Sequence, residues 1–271
     1  MFGKVGRTAL ALLALMSLSG SSLASWSDDW VDDWVDAGGN VLSTNWAGYF
    51  DAGTHFNSVS STFIVPTATQ RNPGQAEFAS IWDGIGGITK GTTALVQAGI
   101  HIQVEPGGHA AYSAFIEGLN RQGGSLFNAP ELAVRPGDRL SVVVTEVGPR
   151  LVNYRIADWS TGRRFDKTFE FSGDSSSAEW IVEAPRINGV LATTPNLSPI
   201  RFLETGFNDH LGLLQNRITM VNAHTGAPIY TASMPIRDDG FTVCSGASCA
   251  GPGAGDHDSG NHQSDQHGDR R

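Results

Sequence analysis

Cysteine is scarce: the 271 residues hold two, Cys244 and Cys249. That is too few for a disulfide-dense scaffold or a four-cysteine zinc site. Charge is sparse at 17% of residues, and basic charge sparser still, with 18 Lys+Arg against 27 Asp+Glu. A chain at −9 lacks the basic stripe a nucleic-acid binder needs. No segment reaches the ~18 apolar residues of a transmembrane helix. Long helical periodicity is missing, which argues against βαβ units. The G-x-S-x-G elbow of serine hydrolases and the paired D-T-G sites of aspartic proteases do not occur. His101, His109, His210 and His224 form no H-E-x-x-H pair.

What is present is 40% hydrophobic residues and 33 glycines, enough apolar material for a core. The first 24 residues read as a secretory signal. Lys4 and Arg7 precede the apolar stretch Thr8–Met16, and Ser22-Leu23-Ala24 offers a small-residue cleavage site. Cleavage there makes the mature chain two charges more negative. Export predicts a disulfide between Cys244 and Cys249 and a location outside the cytoplasm, extracellular or periplasmic, with no membrane attachment after cleavage. Residues 25–44 are an acidic leader with a doubled D-D-W-V unit at Asp28–Val35, either solvated or a short pro-segment whose tryptophans plug a cleft. Residues 250–271 are Gly, Asp, His, Ser and Gln, including His257, His262 and His267, and predict a disordered tail.

Residues 45–249 suit one all-β domain. Val59, Ser61, Phe63 and Val65 alternate before Pro66. Arg135-Pro136-Gly137-Asp138 predicts a turn between two runs, and Trp159-Ser160-Thr161-Gly162 a hairpin. The expectation is an antiparallel β-sandwich, jelly-roll-like, of two curved sheets. Splitting strands by parity is informative, because side chains alternate between faces. In Ala94–Val104, Gln97 and His101 oppose Val96, Ala98, Ile100 and Ile102. In Ala178–Ala184, Glu179, Ile181 and Glu183 oppose Trp180 and Val182, which assigns Trp180 to the core. Glu117 shares a face with Phe115 and Ser113. The polar faces either meet water or line a concave site. Glu179 and Glu183 lie about 13 Å apart along one strand, too far to share a proton, so a catalytic partner for Glu183 must come from another strand.

Four stretches carry a resemblance: N-W-A-G-Y at Asn45–Tyr49, A-S-I-W-D-G-I-G-G at Ala79–Gly87, V-Q-A-G at Val96–Gly99, and S-A-E-W-I-V-E-A-P at Ser177–Pro185. In their order and spacing they resemble the glutamic peptidases (eqolisins), especially the bacterial members. The resemblance covers about Asn45 to Val243 and implies two curved antiparallel sheets with the active site on a concave face. It implies a catalytic pair, Gln97 and Glu183, and cleft residues Trp46, Trp82 and Glu117. It implies a monomer acting on polypeptide substrates at acid pH, with no metal and no cofactor. Two positions depart from the family: Gly86 and His101 stand where acids are usual, although Asp83 lies near the first.

The residue types suit that chemistry. An ionised Glu183 can take a proton from an attacking water and return it to the leaving amine. The Gln97 amide can donate to the developing oxyanion while its carbonyl holds the water. His101 could tune either residue; protonated, it would shift the acid optimum. The alternative readings are a catalytically inactive relative and a lectin-like binding module built on Trp46, Trp82 and Glu117, needing neither Gln97 nor Glu183.

Overall fold

The structure is a computed structural model describing residues 41–88, 92–120, 125–128, 130–212, 214–236 and 240–249. The signal, most of the acidic leader and the histidine-containing tail lie outside the described residues. Among the described residues no helix is long and apolar enough to cross a membrane.

The protein is all-β, as its alternating pattern predicts. Sixteen strands join in one hydrogen-bonded sheet. One half runs through Trp46–Ala52, Ser177–Glu183, Glu77–Gly86, Ala94–Val104, Ala110–Asn120 and Ser125–Asn128. The other runs through Arg163–Glu170, Leu151–Asp158, Arg139–Gly148, Ser58–Ile64, Ile200–Phe207 and Gly240–Ser245. Asn216–Val221 and Pro228–Ala232 carry the hydrogen bonding between the halves, so the sheet curls over and packs on itself. The two layers of the expected sandwich are therefore a single continuous sheet. Pairing is antiparallel except at Val41–Ser43, which lies parallel to Asn216–Val221 and draws the end of the acidic leader into the sheet.

The predicted turns appear where proline, glycine and aspartate placed them. Leu151–Asp158 and Arg163–Glu170 form the hairpin across Trp159–Gly162. Asp158 stabilises it by accepting the Ser160 N–H at 2.8 Å. Cys244 and Cys249 form the predicted disulfide.

Between the layers lies the main core, in which Val96, Ala98, Ile100, Ile116, Trp180 and Val182 of the first half meet Val59, Phe63, Val142, Val144 and Tyr154 of the second. Trp180 is fully buried there and donates its indole N–H to the Ser60 carbonyl at 2.9 Å. Asp83 lies on the same inward face and accepts the Ser61 hydroxyl at 2.9 Å. Full burial holds the Asp83 carboxyl well above the usual range, only partly offset by Ser61. A buried acid bridging the layers is something the alternation pattern did not disclose. The face opposite this core carries the site.

Candidate functional site

A second apolar cluster of Trp46, Trp82, Leu95, Phe115, Ile181 and Ile218 floors the outer face of the first half. Directly paired residues on antiparallel strands point to the same face. The pairing brings all five sequence-assigned residues, Trp46, Trp82, Gln97, Glu117 and Glu183, onto this face. They fall in different rows across the strands. One row reads Phe50, Glu179, Gly84, Gln97, Glu117. Another reads Trp46, Glu183, Ser80, His101, Ser113. Four residues, about 13 Å along the strands, separate the two rows.

Gln97 is 4% exposed and donates its amide to Glu117 Oε2 at 2.7 Å, while its carbonyl oxygen is buried with no hydrogen-bond partner among the described residues. The second amide hydrogen and that carbonyl remain for a ligand. Burial pushes the Glu117 carboxyl up to about 7, against the pull of the Gln97 donor. Glu183 accepts the Trp82 indole N–H at 2.7 Å. Its carboxyl also rises to about 7, first through burial and further through the charge of Glu117, against hydrogen bonds from Trp82 and Trp46. Trp46 packs edge-on against Trp82, ring centres 4.8 Å apart at 81°. Gln97 and Glu183 share the face and are linked through Glu117, which accepts the Gln97 amide and whose charge reaches the Glu183 carboxyl.

Glu179, the first acid of the same run, also lies on this face, paired with Gly84 two strands, about 10 Å, from Gln97. It is fully buried, and a methyl group on the intervening Gly84 would lie 2.7 Å from the Trp82 ring and 3.1 Å from Leu95 Cδ1. Burial, against a Ser177 hydrogen bond and with the Asp174 charge adding, holds its carboxyl well above the usual range.

The two departures have structural accounts. Gly86 adopts φ +80°, and a Cβ there would sit 2.4 Å from the Ala94 carbonyl and 2.6 Å from that of Asp174, so no acid fits. His101 stacks on Phe115, centres 3.9 Å apart, and its Nδ1 meets the Ser80 hydroxyl at 2.8 Å. Burial lowers its pKa to about 4, so the ring stays neutral over most of the acid range. Among the described residues no group of three or more His, Cys, Asp or Glu could hold a metal ion.

The fold and this face define a β-sheet protein with a carboxamide and carboxyl groups brought together in a low-dielectric site, the equipment of a hydrolase that acts without a serine or cysteine nucleophile. The chain belongs to the Peptidase A4 family, the eqolisins, whose model matches residues 44–245. Its fold is similar to that of scytalido-glutamic peptidase bound to a transition-state-analogue inhibitor, at 20% identity and TM-score 0.62, covering 74% of this chain and 98% of that one. It is similar also to SCP-B, an eqolisin in complex with the tripeptide Ala-Ile-His, at 19% identity and TM-score 0.56 over the same shares. A comparison with curated protein sequences found no match.

Proposed function

We propose that this protein is a secreted glutamic endopeptidase that hydrolyses peptide bonds in polypeptide substrates as a monomer. Gln97 acts as oxyanion donor, and Glu183 acts as general base. Family membership carries the peptidase reading, and the disulfide agrees with an extracellular location. The sequence assigned the base to Glu183. The geometry supports that reading, because the charge of Glu117, which accepts the Gln97 amide, reaches the Glu183 carboxyl, whereas Glu179 is fully buried and the Trp82 ring and Leu95 fill the place above Gly84 that would join it to Gln97.

In this mechanism the substrate carbonyl turns its oxygen toward the free Gln97 N–H. Glu183 takes the proton of the attacking water. The tetrahedral oxyanion is held by Gln97, and the proton passes from Glu183 to the leaving amine. Glu117 keeps the Gln97 amide turned toward the site.

The test is hydrolysis of a denatured protein across pH 3–7 by the wild type, Gln97→Ala, Glu179→Gln and Glu183→Gln. Loss of one oxyanion donor should cost about 100- to 1000-fold in turnover. Glu183→Gln should be at least as damaged and Glu179→Gln much less so. An inert Glu179→Gln beside an active Glu183→Gln would move the base to Glu179. Wild-type turnover in Gln97→Ala would favour the binding-module reading.

A further inference from the structure

Basic residues are scarce in this chain, yet they gather at one end of the fold. Arg135, Arg139, Arg163 and Arg164, all exposed, stand around the tip of the hairpin formed by Leu151–Asp158 and Arg163–Glu170. The tip is held against the Arg135–Asp138 turn: the Trp159 N–H donates to the Arg139 carbonyl at 2.9 Å, and the Arg139 N–H to the Ser160 hydroxyl at 2.8 Å. Where the two turns meet lies a notch of about 280 Å³, lined by Ala133, Arg135, Asp138, Thr161 and Arg163. The acids at this end are already engaged. Asp158 accepts the Ser160 and Thr161 N–H groups and the Thr161 hydroxyl within its own turn, and Asp138 accepts the Arg135 N–H at 2.8 Å. Arg139 faces Glu204 at 3.6 Å. Arg135, Arg163 and Arg164 have no ion pair among the described residues.

Two unpaired guanidiniums at one notch present planar donor forks that fit a carboxylate or a sulfate group. Trp159 stands on the same tip, 68% exposed. A single exposed indole is ordinary on a protein surface; beside these arginines it offers a flat apolar platform for the C–H face of a sugar ring. Asp158 and Arg163 are paired across the hairpin and Trp159 follows Asp158, so ring and notch lie within reach of one short saccharide. At a net charge of −9 the chain repels polyanions except where basic side chains gather. A bilayer would need several apolar side chains at the tip, and Ser160, Thr161 and Gly162 supply none. Duplex DNA would need a longer basic stripe.

We propose that this end of the hairpin is a binding site for anionic polysaccharide: Arg135 and Arg163 clasp a carboxylate or sulfate group of the polymer, and Trp159 packs on a neighbouring sugar ring. The face carrying Gln97 and Glu183 belongs to the other half of the sheet, across the main core, so a bound polysaccharide leaves it open. The site holds the protein on an acidic polymer without taking part in hydrolysis.

The experiment measures binding of the protein to polygalacturonate, which carries carboxylates, and to dextran sulfate, with neutral dextran as control, at about pH 5, where arginine and carboxylate are both charged. The wild type should bind one or both polyanions, more weakly as salt rises, and ignore dextran. Which polymer it takes identifies the anionic group. Arg135→Ala and Arg163→Ala should each weaken binding about tenfold or more, the usual strength of a hydrogen bond to a charged group. Trp159→Ser should weaken it about three- to tenfold. Arg150→Ala, at the opposite end of the hairpin and paired with Glu170 at 2.9 Å, should bind as the wild type does. Every variant should keep the wild-type circular dichroism spectrum and the wild-type rate on a free peptide, and the binding measurements stand whether or not the protein cleaves peptides. No binding to either polyanion, wild-type affinity in the double variant Arg135→Ala/Arg163→Ala, or a loss in Arg150→Ala as large as in Arg163→Ala would each overturn the proposal. So would binding to phosphatidylserine vesicles or duplex DNA as tight as to the polysaccharides.

Discussion

His101 shows how one residue's surroundings reset its chemistry. Protonated, it would bring positive charge into the site, but burial brings its pKa down to about 4. Glu117 and Glu183 move the other way, each to about 7. Between these values the imidazole is neutral and the Glu117–Glu183 pair begins to ionise, its first lost proton supplying the base. Below about 4 His101 gains a charge it cannot solvate; above about 7 the second carboxylate of the pair repels the developing oxyanion. The pH–rate profile should therefore be a bell between these limits. Its acid limb should move in His101→Gln, and a wild-type acid limb in that variant would show that His101 plays no part.

At the scale of elements, what matters is how strands line up. The Trp82 strand presents Ser80, Trp82 and Gly84 in succession to the site face, each level with a different residue of the Glu183 strand. Gly84 leaves a gap that the Trp82 ring covers. A methyl group there would lie 2.7 Å from that ring. Gly84→Ala should destabilise by about 1–3 kcal/mol, the usual cost of overpacking, and reduce turnover with it. Thermal unfolding together with kcat checks this, and wild-type values for both would show that the gap is not needed. Parity, by contrast, was legible from sequence. The split of Ala94–Val104 and Ala178–Ala184 into core and site faces follows from alternation alone, and the burial of Trp180 bears it out.

The whole molecule is built to be more stable in acid. Asp83 and Glu179 are fully buried with carboxyls held well above the usual range, and Asp51 rises to about 6, chiefly through burial. In the unfolded chain such acids ionise near pH 4. Folded, they hold their protons to higher pH, so between about 4 and 7 the native state binds more protons than the unfolded one and stability falls as pH rises. His101 contributes the opposite slope, losing stability as pH drops from 6.5 toward 4, but one histidine is outnumbered. The melting temperature should decline steadily from about pH 4.5 to 7.5, and Asp83→Asn should flatten that decline. A melting temperature rising with pH over this range would contradict the buried-acid account.

The amino-acid sequence by itself determined the all-β class, the faces of the strands, the turns, the disulfide pairing and the family, because each rests on local periodicity, turn chemistry or contiguous motifs. It could not determine which glutamate of Glu179 and Glu183 stands level with Gln97. That depends on the register of Ser177–Glu183 against Glu77–Gly86, strands about a hundred residues apart in the chain, and the two glutamates share a face under any register that keeps Trp180 in the core. Nor could it show that Gly84 lies between them, that Trp82 bridges the two rows, or that Asp83 spans the layers. Those are decided by how the single sheet curls and packs on itself, since only packing removes these groups from water and brings their side chains together.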